Sequence, residues 1–189
     1  MKFVTKRLIL KPMELSFADD LVEGLNNLNV SKNLSTVNYP YSKKDAISYI
    51  KKSIEDNKKK KNKLQFGIYL KSEKKIIGGF SFSINNNDLV AKGGSWINEK
   101  YWRQGYITET KVVIIDYLFN KLKIRKLSSQ VYKENIASKK ALIKLGYKKE
   151  GLLKKQVICK ATGKVHDLVV LGLFKEDWLK KRKSLIKRV

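Results

Sequence analysis

Apolar and polar positions alternate from Phe3 to Lys11 and the run stops at Pro12, a pattern that predicts a first β-strand. Ser16 then stands where a helix N-cap would, with Asp19 three residues on, ahead of Leu21, Leu25 and Leu28 at helical spacing. Residues 29–41 are rich in turn formers, and Tyr39-Pro40-Tyr41 reads as an extended segment. Ser42 is placed to cap a second helix, through Ala46, Ile47, Ile50 and Ile54, which ends at the lysine run 58–63. Three strands follow, at 64–70, 75–84 and 89–97, joined by polar turns at Ser72-Glu73-Lys74 and Asn85-Asn86-Asn87-Asp88. The pair Gly93-Gly94 inside the third implies a bulge or a close approach of backbone to a ligand. A helix is predicted from the turn at Gly105 to about Lys121, a strand over 126–132, a short helix over 138–145, and a closing antiparallel pair, 152–159 and 165–174, around Thr162-Gly163. Neither an internal repeat nor a linker is evident. The pattern predicts one α+β domain over residues 1–175, with a basic segment, 176–189, packed on it or trailing it through Trp178, Leu179, Leu185 and Ile186.

Composition adds three constraints. A chain of 189 residues with 42% hydrophobic and 10% aromatic content can bury a sizeable core as one globular domain. Its apolar runs are too short to span a bilayer and its first residues lack a secretory apolar stretch, so a cytoplasmic protein without a membrane role is expected. Forty-two Lys and Arg against 17 Asp and Glu give a net charge of +25, a field that attracts RNA or the ribosome, anionic membranes and phosphate-bearing cofactors and repels polyamines. The same excess could reflect a lysine-biased proteome. Cys159 is the single cysteine, so no internal disulfide is possible; its alternating surroundings suggest a buried structural thiol.

Candidate chemistry sits in two stretches. Tyr101-Trp102-Arg103-Gln104-Gly105-Tyr106-Ile107-Thr108-Glu109 lies between a predicted strand and an apolar helix. Unpaired N–H groups and the positive end of a helix dipole converge at such a turn and suit an anionic group, while a glycine allows close approach. The second stretch is Asn135-Ile136-Ala137-Ser138, continuing to Lys144-Leu145-Gly146-Tyr147. Asn135 can cap the short helix that follows, or present its amide to a ligand, or both.

In that order and spacing the two stretches resemble the GNAT superfamily of acyl-CoA-dependent N-acetyltransferases, and within it the RimJ/RimL branch that acetylates protein N-termini, notably of ribosomal proteins. Thr5-Lys6-Arg7-Leu8-Ile9-Leu10-Lys11-Pro12 is similar to the opening strand of that branch. The resemblance implies a mixed, mostly antiparallel seven-stranded sheet flanked by about four helices, with strands splayed at the acyl-CoA site. It implies acetyl-CoA as donor and no metal. The backbone of Trp96, Ile97 and Asn98 would pair with the pantetheine arm. The turn Trp102, Arg103, Gln104, Gly105, Tyr106, Ile107 and Thr108 would hold the diphosphate, and Asn135 and Ser138 would complete the site. Ile107 is bulkier than the Gly or Ala common at its position.

By the same resemblance, a tyrosine that protonates the departing thiolate in many members is replaced here by Leu142, and Ser138 would act instead. Two acidic positions found in relatives are Val157 and Lys92 in this chain. The remaining candidates for a general base are Glu109, Glu99 and the His166-Asp167 pair; the chain could also manage without one, since an α-amino group titrates at about 7.7–8.0 and a lysine at about 10.4. Glu109 could equally be a first-turn acid complementing the helix dipole, and His166 a structural histidine. The acceptor would then be a protein or peptide N-terminus, met in a groove that includes residues 33–41, with Tyr39, Pro40 and Tyr41, and the turn 160–164. A small amine such as an aminoglycoside or amino acid, or a catalytically weak RNA-binding role, are the alternatives. A monomer or a homodimer is expected.

Overall fold

Thr5-Lys6-Arg7 interrupts the opening alternation, and the computed structural model, which describes residues 1–59 and 62–186, turns the chain there. The Thr5 N–H donates to the Leu8 carbonyl at 3.0 Å and the Leu8 N–H donates to Thr5 Oγ1 at 2.9 Å. The single strand expected over 3–11 is therefore a hairpin of β1 (Phe3–Val4) and β2 (Leu8–Pro12). The hairpin supplies the eighth strand of a sheet expected to have seven. The others are β3 (Lys63–Leu70), β4 (Lys75–Asn85), β5 (Val90–Ile97), β6 (Lys126–Tyr132), β7 (Lys148–Ile158) and β8 (Val165–Phe174), in the order β1-β2-β3-β4-β5-β6-β8-β7. Every neighbouring pair is antiparallel except β5 and β6.

Six α-helices occur among the described residues, against about four expected: α1 (Ala18–Leu25), α2 (Leu28–Ser31), α3 (Lys43–Lys58), α4 (Tyr106–Asn120), α5 (Ile136–Lys144) and α6 (Lys175–Ile186). The additions are the single turn α2 and the C-terminal α6. Ser16 is not an N-cap: it lies inside a 3-10 turn, Leu15–Phe17, that leads directly into α1 without a side-chain cap. Ser42 does cap α3, in a reciprocal box with Asp45, whose carboxyl is held below its usual range by the Ser42 hydroxyl and N–H. Within the lysine run at the end of α3, Lys60 and Lys61 lie outside the described residues.

Strand alternation divides the molecule into two layers. Ala91 and Leu127 point to the face covered by α4, whose Ile114, Ile115 and Leu118 join one core. Trp96 points the other way, against α1 and α3, where Leu21, Ala46 and Ile50 form a second. A Cβ on Gly24 of α1 would lie 2.5 Å from Trp96 Cζ3, so only glycine lets that helix approach the indole. No described helix is long and apolar enough to cross a membrane.

Helix α6 closes the α4 layer. Trp178 is fully buried and donates its Nε1–H to Asp116 Oδ1 at 2.8 Å, while Arg182 meets the same carboxylate through Nε and Nη2, both at 2.7 Å. Replacing Trp178 with Ala should lower the unfolding free energy by about 3–5 kcal/mol in urea titrations, through the cavity it leaves. Asp116→Ala should cost about 1–3 kcal/mol, since it strands the indole N–H but leaves the partly exposed Arg182 access to water.

Candidate active site at the strand divergence

Strands β5 and β6 run side by side only at Val90↔Lys126, Ala91↔Leu127 and Lys92↔Ser128, and then part. Beyond that point Gly93 to Ile97 and Ser129 to Tyr132 have no strand neighbour across the gap. The backbone alternation decides which groups face it. The Asn98 N–H donates to the Ile77 carbonyl at 2.8 Å in the unbroken β4–β5 register, so the even-numbered residues bond to β4 and Gly93, Ser95 and Ile97 aim at the gap. Two of those carbonyls are engaged: Gly93 accepts from Ser129 Oγ at 3.3 Å and Ile97 from Trp102 Nε1 at 2.8 Å.

This parity decides which of the residues expected to meet a pantetheine arm turn their backbone to the gap. Trp96 faces β4 with its backbone and α1 with its side chain. Asn98 has its N–H on Ile77, its carbonyl on the Tyr101 N–H at 2.9 Å and its side-chain oxygen on the Lys100 N–H at 3.2 Å. Of the three residues named from sequence, Ile97 alone offers a free N–H to the gap. Ser95, which sequence reasoning missed, offers both an N–H and a carbonyl. Period-two alternation was visible in the sequence, but its phase depends on which β5 edge pairs with β4.

The turn after β5 is built for an anion. Arg103 (φ 61°) and Gly105 (φ 82°) both adopt left-handed backbone, and Gly105 is the N-cap of α4. From Arg103 through Thr108 no backbone N–H has a partner among the described residues, the first bonded one being Glu109 N–H to the Gly105 carbonyl at 3.0 Å. Ile107 is half-buried against the α4 core, so its bulk lies away from the turn. The turn is braced from β2 by Arg7, which donates Nη1 to the Gln104 carbonyl at 3.0 Å and lies 4.3 Å over the Tyr106 ring.

Across the gap, α5 begins at the end of β6, so both helix N-termini flank the carboxyl ends of the two parallel strands, the usual position for a ligand in such sheets. Asn135 Oδ1 accepts from the Ser138 N–H at 3.0 Å and caps α5. That bond orients the Asn135 Nδ2 and leaves it, like the Ser138 hydroxyl, without a partner among the described residues. Leu142 is buried in the core, so no phenol enters the gap from this helix.

None of the candidate bases is poised. Glu109 is 2% exposed and fully engaged: its carboxylate accepts from Thr5 Oγ1 at 2.5 Å, from the Arg7 N–H at 2.9 Å and from Arg7 Nε at 2.7 Å. It welds the β1–β2 hairpin to the first turn of α4. Glu99 holds the Asn27 and Asn29 amides at the start of α2. Asp167 accepts the Lys155 N–H at 2.9 Å, which with the nearby Lys133 keeps its carboxyl below the usual range. His166 stacks on Tyr132 at 4.2 Å and bonds Glu134 through Nδ1 at 3.2 Å, leaving a buried Nε2 with no partner among the described residues.

On the α1–α3 face, a cavity of about 240 Å³ opens beside the divergence. One rung of the sheet crosses it, Lys63↔Ser83↔Lys92↔Ser128, with Gln130 beyond. No carboxylate lines it. The nearby Glu150 is taken by Lys126 at 2.7 Å. Further out, Cys159 is fully buried and packs against the carbonyls of Ser31, Lys32 and Leu34, so the turn after β7 leans on the segment after α2. Tyr41 is core, whereas Tyr39 is exposed. Among the described residues no group of His, Cys, Asp and Glu could hold a metal ion.

Such an arrangement can bind an extended chain ending in a diphosphate along β5, and admit a second reactant from the opposite face. Comparison with known proteins shows the family and the fold. The family model described as an Acetyltransferase (GNAT) domain matches residues 7–148. An N-acetyltransferase of Bacillus licheniformis, p20, is 29% identical over 175 residues, covering 92% of this chain and 96% of that one. Two solved structures share the fold. The microcin C7 self-immunity acetyltransferase MccE, in complex with acetyl-CoA and AMP, superposes with a TM-score of 0.79 at 22% identity, over 90% of this chain and 93% of that one. The ribosomal-protein-S5-alanine acetyltransferase of Vibrio fischeri does so with 0.74 at 20% identity, over 94% and 98%.

The Glu109 weld makes a stability prediction. Glu109→Ala should lower the unfolding free energy by about 2–4 kcal/mol, measured by denaturant titration, because it strands Thr5 and the Arg7 N–H in a largely dry contact.

Proposed function

This chain belongs to the GNAT acetyltransferase family, whose donor is acetyl-CoA, and from that premise we propose that it acetylates the α-amino group of a protein or peptide N-terminus. The observation that carries the site assignment is the row of unpartnered N–H groups from Arg103 to Thr108, set beside the unpaired edge of β5. Those amides, with the Thr108 hydroxyl, hold the donor's diphosphate. Ser95 and Ile97 continue the sheet with its amide-bearing arm, and Asn135 Nδ2 braces the arm from the other side.

The acceptor enters from the α1–α3 face. Its nitrogen forms a bond to the acetyl carbon, the carbon–sulfur bond breaks, and its electron pair leaves on sulfur. A free N–H on β5 polarises the carbonyl, and the Ser138 hydroxyl donates a hydrogen bond to the departing sulfur. The engaged state of Glu109, Glu99 and Asp167 favours an acceptor that loses its proton without a dedicated base. An α-amino group, titrating at about 7.7–8.0, meets that condition far better than a lysine. Lys63 and Lys92 in the facing cavity disfavour cationic small amines such as polyamines and aminoglycosides. Further support comes from the likeness to the ribosomal-protein-S5-alanine acetyltransferase.

Thiol release from acetyl-CoA, measured over a panel of N-terminal peptides alongside free lysine, spermidine and an aminoglycoside, tests the acceptor. Turnover of peptides ahead of the cationic amines is expected, and the reverse order would refute the N-terminal assignment. Ser138→Ala should reduce kcat about 10- to 100-fold while leaving acetyl-CoA affinity nearly unchanged. Gly105→Val should instead weaken acetyl-CoA binding about tenfold or more by titration calorimetry, since a branched residue resists the left-handed turn.

A further inference from the structure

An unpaired cation lies beneath the strand divergence. Lys111, on the inner side of α4, is 8% exposed and has no hydrogen bond or ion pair with any described residue. It lines a small cavity with Lys92, Gly93, Ser128, Ser129 and Tyr147, so its stem reaches the point where β5 and β6 separate. The stem is buried while the Nζ keeps an edge of solvent at the cavity, and burial of that kind still penalises the charged form. Other lysines of this chain stand in open water or meet a carboxylate; Lys75, for example, meets Glu23 at 2.6 Å. An apolar residue would fill the Lys111 position with no such cost, and an anion inside the gap would offset it directly.

Acetyl transfer generates that anion. As the carbon–sulfur bond breaks, an electron pair and a negative charge collect on sulfur, at the end of the arm lying along Ser95 and Ile97. We propose that the Lys111 ammonium supplies the positive charge that stabilises this thiolate, a role that complements the Ser138 hydrogen bond and rests on the acetyl-transfer reading above. The amine's surplus proton leaves to the thiolate or to water, so Lys111 need not give up its own. Its charge acts from below the gap, which a bound donor would shield from water.

Burial lowers the Lys111 ammonium to about 8. The titratable group facing it from outside α4 is Tyr147 after α5, whose phenol burial raises; the Lys92 side chain points to the opposite face of the sheet. The acids on its own helix are committed elsewhere, Glu109 to Arg7 and Asp116 to Arg182. No carboxylate among the described residues therefore holds the cation charged, and it titrates in the mildly alkaline range.

Lys111→Met keeps the shape and removes the charge. At pH 7 its kcat should fall about tenfold or more, with acetyl-CoA affinity nearly unchanged. Wild-type kcat should decline above about pH 8 as Lys111 loses its proton, and the Met variant should lack that decline. Thermal unfolding supplies a readout of opposite sign. A charged Lys111 destabilises the folded state, so the Met variant should melt higher than wild type at pH 7. The gap should narrow towards about pH 10, where the folded wild type no longer carries the charge. A kcat within about twofold of wild type, a surviving alkaline decline, or a fall in both Tm and kcat, repeated in Lys111→Gln, would overturn the proposal. Wild-type protein that releases no thiol with any amine would overturn the parent reading as well.

Discussion

Three register pairs hold β5 to β6, and the site depends on there being no fourth. Had the strands continued together, the amides of Ser95 and Ile97 would be spent on β6. The two helix N-termini would then close over a finished sheet. Because the pairing stops at Lys92↔Ser128, the sheet has an interior edge in its middle, fixed on one side by β4 and on the other by β8. An edge inside a sheet accepts an extended ligand at little conformational cost, since the strand that receives it is already ordered. Ser129 reaches across to the Gly93 carbonyl and marks where the separation begins.

Legibility in the sequence followed the range of the interaction. The Ser42–Asp45 box, the Gly105 turn and the Asn135 cap are local, and each was readable within a few residues. Ser16 has the right chemistry for a cap, yet the adjoining 3-10 turn supplies the helix start without it. The opening hairpin was hidden because Thr5 to Arg7 keep the polarity of a strand while folding back on it. The phase of β5 was unreadable for a different reason: alternation is local, but the edge that bonds to β4 is a tertiary fact. Glu109 shows the same limit. Its neighbours permit a base or a first-turn acid, and only the contact with Thr5 and Arg7, far back in the chain, decides for a structural role.

The charge of +25 separates into populations that do different work. Some cations are spent on structure: Arg7 on Glu109, Arg182 on Asp116, Lys75 on Glu23. Lys63 and Lys92 stand exposed in the cavity facing the gap and give it a positive field. Lys111 is neither paired nor exposed. Composition alone cannot tell these apart, because burial and partner decide what a lysine does, and both are properties of the fold.

Helix α4 is fastened at both ends by residues remote from it. Arg7 grips its first turn across a separation of 102 residues, and Arg182 grips Asp116 across 66. Loops of that length close late relative to local turns and helices. During synthesis, the N–H groups at Gly105 emerge long before the segment that seals their helix. A ribosome-bound chain therefore carries the parts of its Gly105 turn without the frame that aims them, and the frame is completed only once residue 182 has been made.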